Sequence, residues 1–232
     1  MRFSLIIPCY NEVANLLLLL ERCKELAVRP GVEVILVDNG STDGTAQVLQ
    51  SLLPQYPGCR SIRVEKNQGY GFGILSGLKA AKGEILGWTH ADMQADPQDA
   101  RHGLDLFDKQ GDDIFVKGRR YGRPFMDVVF TVGMSMFETL LLGKPMWDIN
   151  AQPTMFPRKF FDAWSSPPDD FSLDLYAYYQ AQTLGLKVCR FPVKFGERAH
   201  GVSHWNLNWA AKWKFIRRTV DFSMQLKKKV AK

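Results

Sequence analysis

The stretch EILGWTHADMQADP at residues 84–97 joins a short apolar run to a polar loop and the start of a helix. Residues 84–89 predict a buried strand, because a brief apolar run bounded by turn residues is typical of one. Asp96 and Pro97 are typical of an N-cap and a first helical position. The polar residues at 90–94 therefore lie where a strand ends and a helix is about to begin.

The same alternation extends outward in both directions through the first half of the chain. It predicts an α/β fold, a Rossmann-like layered and mostly parallel sheet flanked by helices. The predicted strands lie at about 3–8, 33–38, 61–65, 84–89 and 113–117, and the predicted helices at about 12–27, 43–53, 70–81 and 97–110.

The second half begins with PFMDVVFTVGMSMFETLLLG at 124–143, whose only charged residues are Asp127 and Glu138. It predicts a long helix lying in a groove or an interface, too polar to span a bilayer. No signal peptide precedes the first strand and no charge-free run of about 18 residues occurs, so an integral membrane protein is not expected. An irregular part, a helix at about 171–184, a strand at about 186–195 and a terminal helix from about 205 follow.

The composition of the 232 residues, 46% apolar and 23% charged, is typical of a soluble globular protein with one catalytic domain. The four cysteines lack CxxC spacing, which favours a reducing cytoplasm. From Trp205 onward there are eight Lys or Arg and one acid, so this segment has a charge of +7. Since the whole chain has a net charge of +6, the remaining residues carry −1. This basic tail predicts surface attachment and no nucleic-acid binding.

Three polar loops follow predicted parallel strands, where ligands of open α/β sheets bind. Side chains at alternate positions of an extended segment point the same way, so His90, Asp92 and Gln94 predict one metal or diphosphate site. Asp92 and Gln94 suffice for Mg²⁺ or Mn²⁺, which complete their coordination with phosphates and water. His90 either ligates the metal or donates to the diphosphate. The alternative is a loop whose acids only cap the next helix.

Other loops leave similar alternatives. Asp38 ends a strand before a glycine turn, where a carboxylate can bind a base or ribose, whereas most of the residues at 39–45 predict turn and cap chemistry. Glu12 could equally be a first-turn acid. The glycines of NQGYGFG at 67–73 predict close backbone approach to a ligand, with free N–H groups.

Five motifs in order resemble family-2 glycosyltransferases of the GT-A fold, and most closely the polyprenyl-phosphate glycosyltransferases of the dolichyl-phosphate mannose synthase type. The resemblance covers nearly the whole chain. It rests on P-x-Y-N-E at 8–12, D-(D/N)-G-S-x-D-x-T at 38–45, N-x-G-x-G at 67–71, A-K-G at 81–83 and a variant of D-A-D-x-Q-x-x-P at 90–97.

This resemblance implies a nucleotide-sugar donor, a UDP- or GDP-sugar, bound with Mg²⁺ or Mn²⁺. Arg120 in GRRY at 118–121 and Arg198 in the segment FGERAHGVSH at 195–204 resemble phosphate-binding arginines of the family. The implied donor-binding residues are Pro8, Tyr10, Glu12, Asp38, Gly69, His90, Ala91 and Asp92; the implied metal ligands are Asp92, Gln94 and His90; and the residues expected in catalysis are Asp92, Arg120, Arg198, Asp148 and Asp174.

The chain departs from the family pattern at His90, His204 and Asp127, where relatives carry Asp, Lys and Arg. The expected reaction is inverting transfer to a lipid phosphate, whose anionic oxygen needs no base. The alternative acceptor is a glycan or glycolipid hydroxyl, for which Asp148 or Asp174 would be the base. A further alternative is a non-catalytic nucleotide-sugar-binding protein, suggested by His90.

The predicted organisation is a GT-A domain at 1–204 and a basic amphipathic helix at 205–232. Within the domain, 1–117 form the nucleotide-sugar half and 118–204 the acceptor half. Apolar residues at spacings of three or four in 205–232, with cations on the other faces, predict a helix in the lipid headgroup region. The protein is therefore expected to be peripheral on the cytoplasmic face of the membrane, and its oligomeric state is left open.

Overall fold

The structure is a computed structural model that describes residues 1–200 and 209–230. Its seven strands are β1 (Phe3–Cys9), β2 (Val32–Asn39), β3 (Cys59–Val64), β4 (Ile85–Trp88), β5 (Ile114–Tyr121), β6 (Thr154–Pro157) and β7 (Lys187–Lys194). Its helices are α1 (Leu16–Ala27), α2 (Thr45–Leu52), α3 (Tyr70–Ala80), α4 (Ala100–Gln110), α5 (Phe125–Leu142), α6 (Arg158–Asp162), α7 (Leu173–Thr183) and α8 (Trp209–Val230).

All seven strands form one sheet in the order β3-β2-β1-β4-β6-β5-β7. β1 pairs in parallel with β2 and β4, β2 with β3, and β5 with β7, whereas β6 is antiparallel to both β4 and β5. The predicted mostly parallel α/β sheet is thus confirmed. The sheet runs through both predicted halves of the domain without a break.

The strand pattern explains the layers. In β1, Phe3, Leu5 and Ile7 belong to a core shared with α1, α2 and α4, while Ile6 belongs to a core shared with α3 and α7. Because successive side chains of a strand point to opposite faces, a strand that is apolar at every position is buried on both. All five strands predicted in the first half occur. Their ends agree with the prediction to within two residues, except that β5 extends to Tyr121.

Two elements were not predicted, β6 and the short helix α6 that follows it. β6 has only four residues and lies between Pro153 and Pro157, and prolines argue against a central strand. Here they stand at its ends, so the ladder to β4 is not interrupted.

The long apolar helix and the terminal helix both occur, as α5 and α8. With 18 residues, a mean hydropathy of 1.6 and 11% of its residues buried, α5 is long and apolar enough to cross a membrane by length and composition. This differs from the expectation that it is too polar to span. The tail positions at 205–208 and the motif residues 201–204 lie outside the described residues.

Candidate active site

The loops after β1, β2 and β4 lie at one edge of the sheet, as expected for neighbouring parallel strands. Hydrogen bonds tie the first two loops together. The backbone N–H of Asn11 donates to Ser41 Oγ over 3.0 Å, that of Glu12 donates to Thr45 Oγ1 over 3.0 Å, and Thr42 N–H donates to Asn11 Oδ1 over 2.9 Å.

The predicted turn and cap chemistry of the β2 loop is present. Asp43 Oδ1 accepts from Thr45 N–H over 2.9 Å. Asp38 is 2% exposed; its Oδ1 accepts from Ser41 N–H over 3.0 Å and its Oδ2 from Arg63 over 2.8 Å. Asp38 therefore orients the turn and already carries a cationic partner.

The loop after β4 does not have the extended form that the alternate-position argument assumed. Residues 91–95 form bends, and Met93 has a φ of 61°, in the left-handed region. His90, Asp92 and Gln94 therefore do not share one face of a strand. The prediction from alternate spacing that these three side chains point the same way was therefore wrong, because the segment is not extended.

Asp92 instead meets the segment after β7. Its Oδ2 pairs with Arg198 Nη2 at 2.9 Å, and its Oδ1 accepts from Gln94 N–H over 3.1 Å. Gln94 and Gly196 exchange two hydrogen bonds, from Gly196 N–H to Gln94 O over 2.9 Å and from Gln94 Nε2 to Gly196 O over 3.3 Å. Two residues predicted separately, Asp92 and Arg198, are thus brought into direct contact.

Glu12 shares the electrostatic surroundings of this pair. Burial raises the pKa of the Glu12 carboxyl and the Asp92 charge adds to the effect, while a hydrogen bond from Asn15 and the Arg198 charge oppose it. Glu12 therefore lies within electrostatic range of both Asp92 and Arg198.

His90 takes part in a stack of rings. Its imidazole lies over Tyr70, with centroids 5.4 Å apart and planes 18° apart, and Tyr70 stacks on Phe171 at 4.6 Å. Within residues 1–200 and 209–230, no group of three or more His, Cys, Asp or Glu side chains could hold a metal ion. A cation at Asp92 would therefore need ligands from a substrate.

The glycines before α3 approach the protein's own backbone. A Cβ on Gly69, whose φ is +113°, would lie 2.7 Å from Asp169 O, and one on Gly71 would lie 2.6 Å from Asp169 C. Phe72 N–H donates to Asp169 O over 2.8 Å. The close approach expected here for a ligand is thus made by residues 169–170. Two of the N–H groups already have acceptors, that of Phe72 in Asp169 and that of Gly69 in Asn67.

The remaining residues implied for the donor lie on the same loops. Pro8 is in β1 and half-buried, Tyr10 follows β1 and is 42% exposed, and Ala91 is buried beside Asp92.

Asp174 does not have the surroundings of a general base. It is 2% exposed in α7, where its Oδ1 accepts from Gln152 Nε2 over 2.8 Å and from Trp88 Nε1 over 3.3 Å and lies 3.9 Å from Lys117 Nζ. These surroundings match the alternative role of a buried ion-pair partner, and the role of Asp174 as a base stays a prediction.

Lys117 is the partner that sequence reasoning missed. It is fully buried in β5 and donates to Thr154 Oγ1 over 2.8 Å. Burial lowers the pKa of Lys117 to about 7, although the Asp174 charge opposes the change. The signal available was a lysine inside the apolar run IFVKG at 114–118.

A cationic cluster, defined here as Arg120 and Arg123, surrounds Asp148. Arg120 Nε donates to Asp148 Oδ1 over 2.8 Å and Arg120 N–H donates to Oδ2 over 3.1 Å, while Arg123 Nη1 lies 4.0 Å away. Burial alone would raise the pKa of Asp148, but the Arg120 charge and hydrogen bonds outweigh it and lower the pKa. The lowered pKa and the ion pair with Arg120 do not favour Asp148 as a base, and that role stays a prediction. Arg123, visible in GRRYGR at 118–123, was missed.

One short segment joins the cationic cluster to the Asp92 loop. The Phe195 ring lies under both guanidinium groups, with centroid distances of 5.1 Å to Arg120 and 5.6 Å to Arg123. The next residue, Gly196, binds Gln94, and Arg198 binds Asp92. Residues 195–198 thus link the two sides of the site.

Comparison with known proteins agrees with this architecture. The chain is 29% identical over 212 residues to a dolichol-phosphate mannosyltransferase from Pyrococcus furiosus, a match covering 88% of this chain and 59% of that protein. It is 29% identical over 214 residues to an undecaprenyl-phosphate 4-deoxy-4-formamido-L-arabinose transferase from Edwardsiella ictaluri, covering 88% and 63%. The chain therefore spans about three fifths of the length of these relatives.

Solved structures show the same fold. A mannosyltransferase from Pyrobaculum calidifontis, in complex with GDP-Man and Mn²⁺, superposes with a TM-score of 0.67 at 20% identity, covering 93% of this chain and 64% of that one. Glucosyl-3-phosphoglycerate synthase from Mycobacterium tuberculosis, in complex with Mn²⁺ and UDP, gives 0.72 at 18%, covering 97% and 79%. The fold is thus GT-A. Residues 4–153 match the model of glycosyl transferase family 2. The chain therefore belongs to glycosyl transferase family 2, as its five motifs predicted.

Proposed function

We propose that this protein transfers a sugar, with inversion, from a UDP- or GDP-sugar to a membrane polyprenyl phosphate. The proposal extends to this chain the acceptor class in the names of its relatives, a dolichol phosphate and an undecaprenyl phosphate. In the site itself, the deciding residues are the two acids that a hydroxyl acceptor would require.

The observation that carries the proposal is the state of Asp148 and Asp174. Asp148 is paired with Arg120, and Asp174 is buried and accepts hydrogen bonds from Gln152 and Trp88, so neither carboxylate is free to accept a proton from an alcohol. A phosphate oxygen is already anionic at neutral pH and needs no base. The site therefore suits a phosphate acceptor better than a hydroxyl.

On the donor side, Asp92, Glu12 and Arg198 would receive the diphosphate. The oxygen-rich residues of this loop fit a hard divalent cation held by one or two protein oxygens and by substrate phosphates. Asp92 would hold it with Gln94, and Mn²⁺ or Mg²⁺ would there stabilise negative charge on the leaving diphosphate. Arg198, which neutralises Asp92 in this structure, would pair with the diphosphate once the cation takes its place.

His90 has a different proposed role from that of a ligand. Stacked on Tyr70, it would line the donor pocket and donate a hydrogen bond to the diphosphate. Asp38, at the end of β2, would bind the base or ribose through the lone pairs that Ser41 and Arg63 leave open.

On the acceptor side, the cationic cluster would bind the lipid phosphate. Arg123 is 9% exposed and donates to Thr131 Oγ1 over 2.8 Å and to Asp127 O over 3.2 Å. Arg123 thereby places a guanidinium at the start of α5. It could compensate for Asp127, which stands where the family pattern has an arginine. Guanidinium groups suit phosphate because their donors form a fork of fixed charge.

The experiment is a transfer assay with purified full chain, a panel of UDP- and GDP-sugars, and Mg²⁺, Mn²⁺ or EDTA. Polyprenyl phosphate and the matching polyprenol, which differ only in the phosphate, are offered in parallel, and products are read by mass spectrometry. A glycosylated phosphate with no glycosylated alcohol is expected. Transfer to the alcohol or to an oligosaccharide would overturn the proposed acceptor, and donor consumption no higher than in EDTA would overturn the metal-assisted mechanism.

We also propose that the protein is peripheral on the cytoplasmic face of the membrane, with the basic helix in 205–232 contributing to binding. A lipid-phosphate acceptor requires the site to lie near the headgroups. Exposed Trp213 and Met224 on α8, beside the cations of that helix, support this placement.

A further inference from the structure

We infer that Arg218 of the terminal helix α8 is a positioning residue for binding of the donor's nucleoside diphosphate. It acts through the bridging segment, defined here as residues 169–171, which contacts the donor loops. The inference rests on the proposed function and deepens it. It gives α8 a role in donor binding that is separate from any contact of this helix with the membrane.

The backbone of the bridging segment supports the start of α3. A Cβ on Gly71 would lie 2.6 Å from Asp170 O, so the two backbones approach each other more closely than a side chain allows. On the other side, Gly69 O accepts a hydrogen bond from Asn39 Nδ2 over 2.9 Å. Asn39 is the last residue of β2. A shift of the bridging segment would therefore be felt in the loop after β2.

The Phe171 ring extends this support to the loop after β4. It stacks on Tyr70 with centroids 4.6 Å apart and planes 7° apart, and Tyr70 stacks on His90 at 5.4 Å. Stacked rings at these distances stabilise each other's orientation. Phe171 is 40% exposed, so burial alone does not fix its ring. The orientation of His90 thus depends on what holds Phe171.

Arg218 holds the bridging segment from α8. Its guanidinium carbon lies 5.3 Å from the Phe171 ring centroid, within the range of a cation–π interaction. Its Nε lies 3.2 Å from Asp170 Oδ2, so one side chain binds two consecutive residues. The other oxygen, Asp170 Oδ1, accepts from Ser172 N–H over 2.8 Å, which orients the carboxylate. The side chains of Arg218 and Asp170 are 37% and 31% exposed, so water screens this pair less than a fully exposed one.

The neighbouring Arg217 provides a matched comparison. It is 76% exposed and lies 3.8 Å from Asp221, one turn further along α8. The two arginines carry the same charge at adjacent positions of one helix. They differ in that Arg218 binds the bridging segment, so a change at Arg217 controls for the charge and the helix propensity of the tail.

The test is isothermal titration calorimetry of the full chain with Mn²⁺ and either UDP or GDP, without acceptor or lipid. Arg218→Met removes the cation and keeps a long apolar side chain. It should weaken binding of the nucleotide that the wild type binds by about fivefold, as expected for one partly buried ion pair and one cation–π contact. Arg217→Met should bind as the wild type does. Urea unfolding followed by circular dichroism verifies that each variant is folded.

Asp170→Asn is the second variant, and it decides alone if Arg218→Met does not fold. Asparagine keeps an oxygen that accepts from Ser172 N–H but loses the charge that pairs with Arg218. It should weaken nucleotide binding by a smaller factor, since the contact of Arg218 with Phe171 remains. The double variant should bind no more weakly than Arg218→Met alone, because the two side chains act as a pair.

Wild-type affinity in both Arg218→Met and Asp170→Asn would overturn the inference. Additive losses in the double variant, or an equal loss in Arg217→Met, would also overturn it, because the effect would then not come from the ion pair. In these cases the proposed function stands, since the wild type still binds nucleotide. Absence of binding of both nucleotides by the wild type would instead overturn the donor side of the proposed function, and this inference with it.

Discussion

Glu138→Gln should remove a pH dependence of stability that originates between α5 and α8. The carboxyl is fully buried, and its Oε1 accepts from Ser223 over 2.8 Å. Its Oε2 is buried with no hydrogen-bond partner among the residues that the structure describes. Burial raises the pKa of Glu138 from 4.5 to about 7, although the hydrogen bond from Ser223 opposes the rise.

The sign follows from proton binding. Between pH 4.5 and about 7, the folded protein holds this proton and the unfolded chain releases it, so the free energy of unfolding falls as pH rises. Above pH 7 both states are ionised and the loss is complete. At about 1.4 kcal/mol for each tenfold change in proton affinity, the ionised carboxyl costs the folded protein at most about 3 kcal/mol.

The assay is urea unfolding followed by circular dichroism at pH 5 and pH 8. At pH 5 the variant and the wild type should differ by less than about 1 kcal/mol, since a neutral carboxyl and an amide interact similarly with Ser223. At pH 8 the variant should be more stable, by up to about 3 kcal/mol. Asp127→Asn, at a half-buried acid of the same helix, is the control and should show no such difference. An equal difference between Glu138→Gln and wild type at both pH values would refute the reasoning.

Three further substitutions test the site. Asp92→Asn removes the negative charge opposite Arg198 and should lower turnover by about 10² or more. It should also abolish the metal dependence of nucleoside diphosphate binding measured by calorimetry. Metal-dependent binding that persists in the variant would contradict the assignment of Asp92. Burial lowers the pKa of Lys117 to about 7, so between pH 7 and 10 the unfolded chain holds this proton and the folded protein does not, and the melting temperature of the wild type should rise with pH. Lys117→Met should abolish that rise. A rise retained in the variant would contradict the assignment to Lys117. Arg123→Gln should raise the KM for polyprenyl phosphate about tenfold at unchanged KM for the donor, and an effect on the donor alone would exclude Arg123 from the acceptor side.

The fold was predictable because its signals are local. Strands β1 and β2 consist mainly of apolar residues and are buried on both faces. Asp96 caps a 3-10 turn at Pro97–Asp99 that leads into α4, accepting from Gln98 N–H over 3.0 Å. β6 carried too few residues for such a signal. Its pairing with β4 and β5 is a property of the assembled sheet.

The site was predictable as a set of loops and not as a set of contacts. Asp92 and Arg198 are distant in the chain, and nothing in either motif indicates that they form an ion pair. Asp174 looked like a free acid because the residues that enclose it, Trp88, Lys117 and Gln152, belong to three other segments. Gly69 was predicted to contact a ligand because a glycine indicates that some group lies close to the backbone, but the sequence does not identify that group, which is Asp169. In each case the missing information was tertiary.

The proposed acceptor and the proposed position at the membrane face meet at Arg123. Its guanidinium donates to Thr131 and to the backbone of Asp127, both in the first turns of α5, and lies over the Phe195 ring. A helix that lies among the headgroups would therefore hold this cation at the depth where a lipid phosphate resides. From there, residues 195–198 lead to Gln94 and Asp92. A phosphate bound at the cationic cluster is thus separated from the donor loop by one short segment.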